Sequence, residues 1–128
     1  MSSGSNTVRS ALSLTWISQT NREVMVLYEY EEIFPEELEK WQRDGAQLVD
    51  VRERWEYELG HIPDASNIPL GELPGRVDEL QEPVVLVCAS GNRSGQAAHY
   101  LTEHGIFETV ANLVGGTTGW QARGLPVE

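Results

Sequence analysis

The chain is expected to be an α/β protein built on a mainly parallel sheet, and three observations predict it. Strand-like and helix-like segments alternate from about residue 28 to the C-terminus. Val84-Val85-Leu86-Val87 is an unbroken apolar run, mostly β-branched, directly after Pro83, as in a strand buried on both faces. That run passes through a tight turn, Cys88 to Arg93, into a helical pattern, which is half of a right-handed strand–helix–strand crossover.

Composition limits what the chain can do. At 128 residues and 40% apolar it is one domain in size and can bury a real core. A net charge of −11 argues against nucleic acid, which wants basic patches. Such acidity repels anionic substrates at long range, so a local positive site must attract them. The single cysteine, Cys88, excludes an internal disulfide, and no Cys/His cluster has zinc spacing. A reducing, cytoplasmic setting is the simplest expectation. No apolar run approaches membrane-spanning length.

In chain order, residues 1–24 read as an N-terminal extension, flexible or loosely docked, ahead of a domain over 25–128. The patch Ala11 to Ile17 is broken by Ser and Thr and does not make a signal peptide. Tyr28 to Ile33 alternates apolar with acidic residues, as a half-exposed edge strand would. Pro35 suits the first turn of a helix, with Glu36 and Glu37 at its positive end. That helix runs to about Arg43 and stops at Asp44-Gly45. Phe34 stands where Ser or Thr would be the better cap. Gln47 to Val51 is the next strand, with Asp50 and Arg52 at its carboxyl end, the rim where parallel sheets bind ligands. Those two residues support the site in one of two ways. Arg52 sets the charge near the thiol, or the pair forms a structural network, and the network is the expectation.

Trp55 to Leu59 predicts a short helical turn, and Ser66 to Pro69 a short strand. Leu70 to Leu80 predicts a helix with Leu73, Val77 and Leu80 inward. After the buried strand, Ser94 is a plausible N-cap of a helix running to His104, with Ala97, Ala98 and Leu101 inward and Gly105 ending it. Glu108 to Leu113 is the last strand. Gly115-Gly116 allows a turn, and a close pass by the active-site loop, that other residues resist. Thr117 or Thr118 caps a final short helix, with Trp120 in the core.

The Cys88 loop carries the chemistry. Successive N–H groups in such a turn converge on an anion, and the helix end behind them reinforces the attraction. Arg93 adds a fixed positive charge. A thiol with pKa near ~8.5 is only a few per cent ionised at neutral pH. Lowering that value by about 2 units takes roughly 2.7 kcal/mol, within reach of several donors and a helix end. A cysteine at a strand end is most often a small buried hydrophobe. The pattern Cys-x-x-Gly-x-Arg-Ser between a buried strand and a helix favours a nucleophile instead.

This loop, Cys88-Ala89-Ser90-Gly91-Asn92-Arg93-Ser94, resembles the active-site loop of the single-domain rhodaneses, which are sulfurtransferases. Asp50-Val51-Arg52-Glu53, then Glu56-Tyr57, Gly60-His61-Ile62-Pro63-Asp64-Ala65 and Asn67-Ile68-Pro69, is similar to the first signature of that family. Asn112-Leu113-Val114-Gly115-Gly116, then Gly119-Trp120 and Gly124-Leu125-Pro126-Val127, is similar to its ending. The resemblance spans Tyr28 to Glu128. It implies a five-stranded, mainly parallel sheet with helices on both faces and places His61 in a structural corner. It also implies that Cys88 takes the outer sulfur of a donor such as thiosulfate, holds it as a persulfide, and passes it to cyanide or a cellular thiol. The N–H groups from Ala89 to Ser94 would hold the persulfide charge, and Arg93 would bind the anionic donor or orient the loop. No metal or organic cofactor is implied, and a protein is a possible donor or acceptor. Ala89 stands where many thiosulfate-using relatives carry a cation in the loop, which moves the expected donor toward a protein or small persulfide.

Two other readings remain. A sulfur-carrier or partner-binding module would share the fold without turnover. A cysteine phosphatase or arsenate reductase would share the layout, but phosphatases want Cys-x5-Arg, one residue longer than the Cys-x4-Arg found here.

Overall fold

The computed structural model describes residues 10–19 and 22–128, and the remainder of the expected extension lies outside them. Among the described residues, six strands form one sheet in the order β1-β2-β6-β5-β3-β4. They are β1 (Ser10–Gln19), β2 (Arg22–Ile33), β3 (Gln47–Asp50), β4 (Ser66–Asn67), β5 (Val84–Val87) and β6 (Val110–Leu113). All but β1 run parallel to one another, so the parallel part has five strands. β1 adds to it as the antiparallel partner of β2, from Ser10 opposite Glu31 to Gln19 opposite Arg22. The strand expected over Tyr28 to Ile33 is therefore longer and is not the edge. It is covered by β1 on one side and meets β6 through Glu31–Ile33 on the other.

The helices are α1 (Pro35–Arg43), α2 (Arg54–Glu58), α3 (Asn92–Glu103) and α4 (Gly116–Ala122). β5 lies between β3 and β6, and all four of its residues are fully buried. Its side chains alternate between two cores. Val84 and Leu86 pack with Val49, Leu73, Ala98 and Leu101, under α3 and the Leu70–Glu79 segment. Val85 and Val87 pack with Ile33, Leu38, Leu48 and Ile62, on the face covered by α1. Apolar residues in succession, rather than in alternation, are what a strand walled on both faces requires.

The Leu70–Glu79 segment is a 3-10 helix rather than an α-helix, and Arg76 interrupts it at φ −129°, ψ 21°. Pro74 removes a helical N–H and Gly75 favours other conformations, which shortens any regular run. Leu73 and Leu80 are nonetheless buried and Val77 packs beside them. At α1, Phe34 has no side chain to cap the helix, and the Glu37 carboxylate compensates by accepting the Phe34 N–H at 3.0 Å.

β3 leads outward to β4, whereas β5 leads the other way to β6. The gap between β3 and β5 is thus the topological switch point, where parallel sheets open a crevice beyond their carboxyl ends. Asp50 is paired in register with Val87, so the Asp50–Arg52 turn and the Cys88 loop leave the sheet side by side. Among the described residues, no helix is long and apolar enough to cross a membrane.

Candidate active site

Cys88 follows directly on β5 and is 1% exposed. The chain turns at Gly91, where φ is +108°, a left-handed conformation open to glycine at little cost. This turn lets the Gly91 N–H point back and donate to Cys88 Sγ at 3.1 Å. The Ser94 hydroxyl lies 3.3 Å from the same sulfur. The N–H groups of Ser94 and Ser90 also act on it. Burial of the sulfur pushes its pKa up. The Ser94 hydroxyl and the N–H groups of Ser94, Gly91 and Ser90 more than offset that, so the thiol sits below its ordinary value.

The loop carbonyls are held away from the sulfur. Cys88 O accepts from Thr117 N at 2.8 Å and Ala89 O from Thr118 N at 2.9 Å. Gly91 O accepts from the Asn112 side-chain amide at 3.2 Å and from Gly95 N at 3.1 Å. With the acceptors fastened to α4, β6 and α3, the donors are free to face inward. The close pass of α4 depends on Gly116. A Cβ built there would lie 2.6 Å from Ala89 O and would also collide with Cys88 O.

α3 starts two residues earlier than its expected cap. Gly91 precedes it and Ser94 is inside the first turn. Ser94 therefore does not cap the helix, and its buried hydroxyl serves the sulfur and Asn112. The final helix likewise has Gly115 at its N-cap, not a threonine. The Thr117 hydroxyl is buried without a hydrogen-bond partner among the described residues. Trp120 is half-buried, packing on the second core while its indole N–H reaches Pro126 O at 2.7 Å.

Arg93 does not point at the sulfur. Its guanidinium makes two parallel bonds to the Glu56 carboxylate, at 2.8 and 3.0 Å. Arg93, and to a smaller extent the Glu53 N–H, hold Glu56 down to about 2 despite its burial. Asn92 opens α3 on the exposed lip, beside Ser90.

Asp50 and Arg52 form a buried network beside the loop. Arg52 Nε and Nη2 reach the Asp50 carboxylate at 2.8 to 3.1 Å, and Nη2 also donates to Gly60 O at 2.8 Å. Asn67 ties in the backbone of both. These bonds fix the β3 turn, and the field of the pair acts on Arg93 in the loop and on its partner Glu56. His61 stacks on Tyr57 with ring centroids 3.8 Å apart, and its backbone pairs with Glu128. It is a corner post, away from the sulfur.

Two residues of this arrangement entered the sequence reading only as positions of the family signatures, with no role in the site. Glu56 lies 37 positions from Arg93, and no spacing rule joins them. Asn112 left a weak signal, as a polar residue within the buried strand Val110–Leu113.

The rhodanese-like domain family model matches residues 34–123. YqhL, an uncharacterized protein of Bacillus subtilis (strain 168), is 48% identical over 77 residues, which cover 59% of this chain and 60% of YqhL. The thiosulfate sulfurtransferase GlpE of Actinobacillus pleuropneumoniae serotype 3 (strain JL03) is 37% identical over 103 residues, covering 77% of this chain and 94% of GlpE. The crystal structure of a rhodanese-related protein from Thermoplasma volcanium superposes with a TM-score of 0.67 at 30% identity, covering 76% of this chain and 96% of that one.

Proposed function

This chain belongs to the rhodanese-like domain family, and from that premise we propose that it is a sulfurtransferase working through a persulfide on Cys88. The observation that carries the reading is the ring of donors on one sulfur: the Gly91 N–H at 3.1 Å and the Ser94 hydroxyl at 3.3 Å, with the Ser90 and Ser94 N–H groups beside them. A low-pKa thiolate is the nucleophile such chemistry requires.

The Cys88 thiolate attacks the outer sulfur of the donor. The new S–S bond forms as the donor's own sulfur bond breaks. With thiosulfate, sulfite leaves with the electron pair and the persulfide keeps one negative charge. The acceptor then attacks the terminal sulfur, and the Cys88–sulfur bond returns its electrons to the thiolate. Cyanide leaves as thiocyanate, and a cellular thiol as its persulfide. The two half-reactions share one site, so the kinetics are ping-pong. The donors that hold the thiolate are placed to hold the persulfide. The site residues are Cys88, the loop from Ala89 to Ser94, and Asp50 with Arg52 as support. The scheme uses no metal or organic cofactor.

Arg93 bears on the choice of donor. Its charge is already matched by Glu56, and Ala89 adds none, so a thiosulfate dianion meets little net positive charge at the loop. A small or protein-borne persulfide fits that field better. The cytoplasm, where a lone thiol stays reduced, is the proposed location.

The test is the intact mass of the reduced protein before and after thiosulfate or a cysteine persulfide, beside Cys88→Ala. Gain of one sulfur atom, reversed by cyanide and absent in the variant, is the expected result. Gain only with the persulfide keeps the mechanism and moves the donor. Stable sulfur that no acceptor removes indicates a carrier without turnover. No gain with either donor overturns the reading.

A further inference from the structure

We propose that Asn112 competes with the Cys88 sulfur for the single proton of the Ser94 hydroxyl, and so sets the pH at which the thiol ionises. The inference rests on the persulfide reading only for what the thiolate is then used to do.

The Ser94 hydroxyl carries one proton. Ser94 is fully buried and Asn112 is 4% exposed. Ser94 Oγ lies 2.5 Å from Asn112 Oδ1 and 3.3 Å from Cys88 Sγ. The orientation of the Asn112 amide follows from its other bond, in which Nδ2 donates to Gly91 O at 3.2 Å. Its oxygen therefore faces Ser94, and two oxygens this close must share a proton. An amide oxygen has none to give, so the proton belongs to the serine. The hydroxyl has one proton and two acceptors.

While Cys88 is a neutral thiol, this conflict is resolved. The S–H donates to Ser94 Oγ, and Ser94 donates to Asn112. When the thiol ionises, its proton goes to solvent and the sulfur becomes acceptor only. The Ser94 O–H then turns to the charged sulfur, the stronger acceptor, and Asn112 Oδ1 loses its donor in a buried site. That loss opposes ionisation. Ser94 thus favours the thiolate while Asn112 restrains it. Asn112 touches the serine and not the sulfur, which makes it a positioning residue.

Other charged groups stand around this pair, and on α3 His99 lines the same cleft as Gly91 and Asn112 and pairs with Glu103. Arg93 on α3 is paired with Glu56 on α2, and Arg52 after β3 is paired with Asp50. From β2, Tyr30 lies against Gly95, and Glu32 shares the cleft lined by Gly91 and Asn112. Arg93 and Arg52 are held by their carboxylates, so replacement of Asn112 leaves those pairs in place. α4 contributes only backbone N–H groups, through the Cys88 and Ala89 carbonyls.

The sign separates this role from ordinary support of the loop. The pH profile of Cys88 alkylation by iodoacetamide is measured for the wild type, Asn112→Ala, Asn112→Leu, Ser94→Ala and the Ser94→Ala/Asn112→Ala double variant. Removing Asn112 is expected to lower the midpoint by about half to one pH unit, and removing Ser94 to raise it. In the Ser94→Ala background, Asn112→Ala should move nothing. A midpoint that rises or stays put in Asn112→Ala and Asn112→Leu overturns the proposal. So does a shift that survives in the Ser94→Ala background, which would place the effect in the Gly91 bond. An NMR titration of the wild type needs no folded Asn112 variant. The Asn112 side-chain amide resonances should shift with the midpoint of Cys88 ionisation and lose that response in Ser94→Ala, and their failure to track it overturns the proposal. Alkylation needs no sulfur donor. A normal sulfur gain with a flat alkylation result rejects the Asn112 role alone. The expected alkylation result without sulfur gain rejects the sulfurtransferase reading alone.

Discussion

With both arms of its guanidinium on Glu56, at 2.8 and 3.0 Å, Arg93 holds α2 against the loop more than it offers charge to a ligand. Glu56→Gln should release that charge. A freed cation near the site is worth about 1 kcal/mol to an anion in partly solvated surroundings. The rate of Cys88 loading by thiosulfate should therefore rise about fivefold in Glu56→Gln, while loading by a cysteine persulfide changes little. Stopped intact-mass time courses with each donor check this, and an equal change for both donors would remove Arg93 from donor choice. Thr117 gives a second expectation. Its buried hydroxyl has no partner among the described residues, and such a group costs stability relative to an apolar one of the same shape. Thr117→Val should stabilise the fold by about 1 kcal/mol, read from urea unfolding with m unchanged.

Among the elements, α4 and β5 are coupled through the first turn of α4. The Thr117 and Thr118 N–H groups take up the Cys88 and Ala89 carbonyls at 2.8 and 2.9 Å, which leaves the loop N–H groups to converge on the sulfur. Gly116 makes that approach possible, with φ at +58° and no room for a Cβ against those carbonyls. Gly116→Ala should cost about 2 kcal/mol or more, combining a left-handed backbone penalty with a backbone collision. It should also raise the alkylation midpoint of Cys88, because the loop must open to admit the methyl. Thermal melts and the alkylation profile read the two effects separately. A variant with wild-type stability and midpoint would show that α4 does not brace the loop.

For the molecule as a whole, charge decides two outcomes. The net charge of −11 repels anionic donors over about a Debye length, roughly 10 Å at 0.1 M salt. The second-order rate of thiosulfate loading should rise as salt is raised from 20 to about 200 mM, whereas neutral donors should show a flat profile. A falling rate would mean that a local positive field outweighs the global one. Acid stability follows Glu56. Its carboxyl is held at about 2 against an ordinary 4.5, so the unfolded chain binds the proton more readily. The stabilisation is complete above about pH 4.5 and is lost as pH falls toward 2. With Arg93 34% exposed, solvent screening leaves about 1 kcal/mol of it. Urea midpoints at pH 3 and pH 7 should converge between wild type and Glu56→Gln as pH drops, and a constant gap would assign the pair no part in acid stability.

Much of this was legible in the residues themselves, because local chemistry dictates it. Four apolar residues in succession require a strand walled on both faces, and Val84–Val87 is one. A cysteine at its end, a glycine three residues on and a helix behind it place a thiol in a ring of N–H groups. Gly115-Gly116 announced a close pass of the chain, and Gly116 makes it against the Cys88 carbonyl. What the residues alone did not reveal depends on neighbours far apart in the chain. Ser94 reads as a cap, but Gly91 takes that place and leaves the hydroxyl to a sulfur and to Asn112 from another strand. Arg93 reads as a ligand for anions or as a brace of the loop, and the partner that α2 brings to it, Glu56, lies 37 positions away. The pairing of β1 with β2 also belongs to this group, since backbone hydrogen bonds between strands carry little side-chain signature. Periodicity and turn chemistry act within a few residues and determine the elements. Which acceptor a buried proton finds, and which carboxylate a guanidinium meets, is decided only when the packed sheet brings them within about 3 Å.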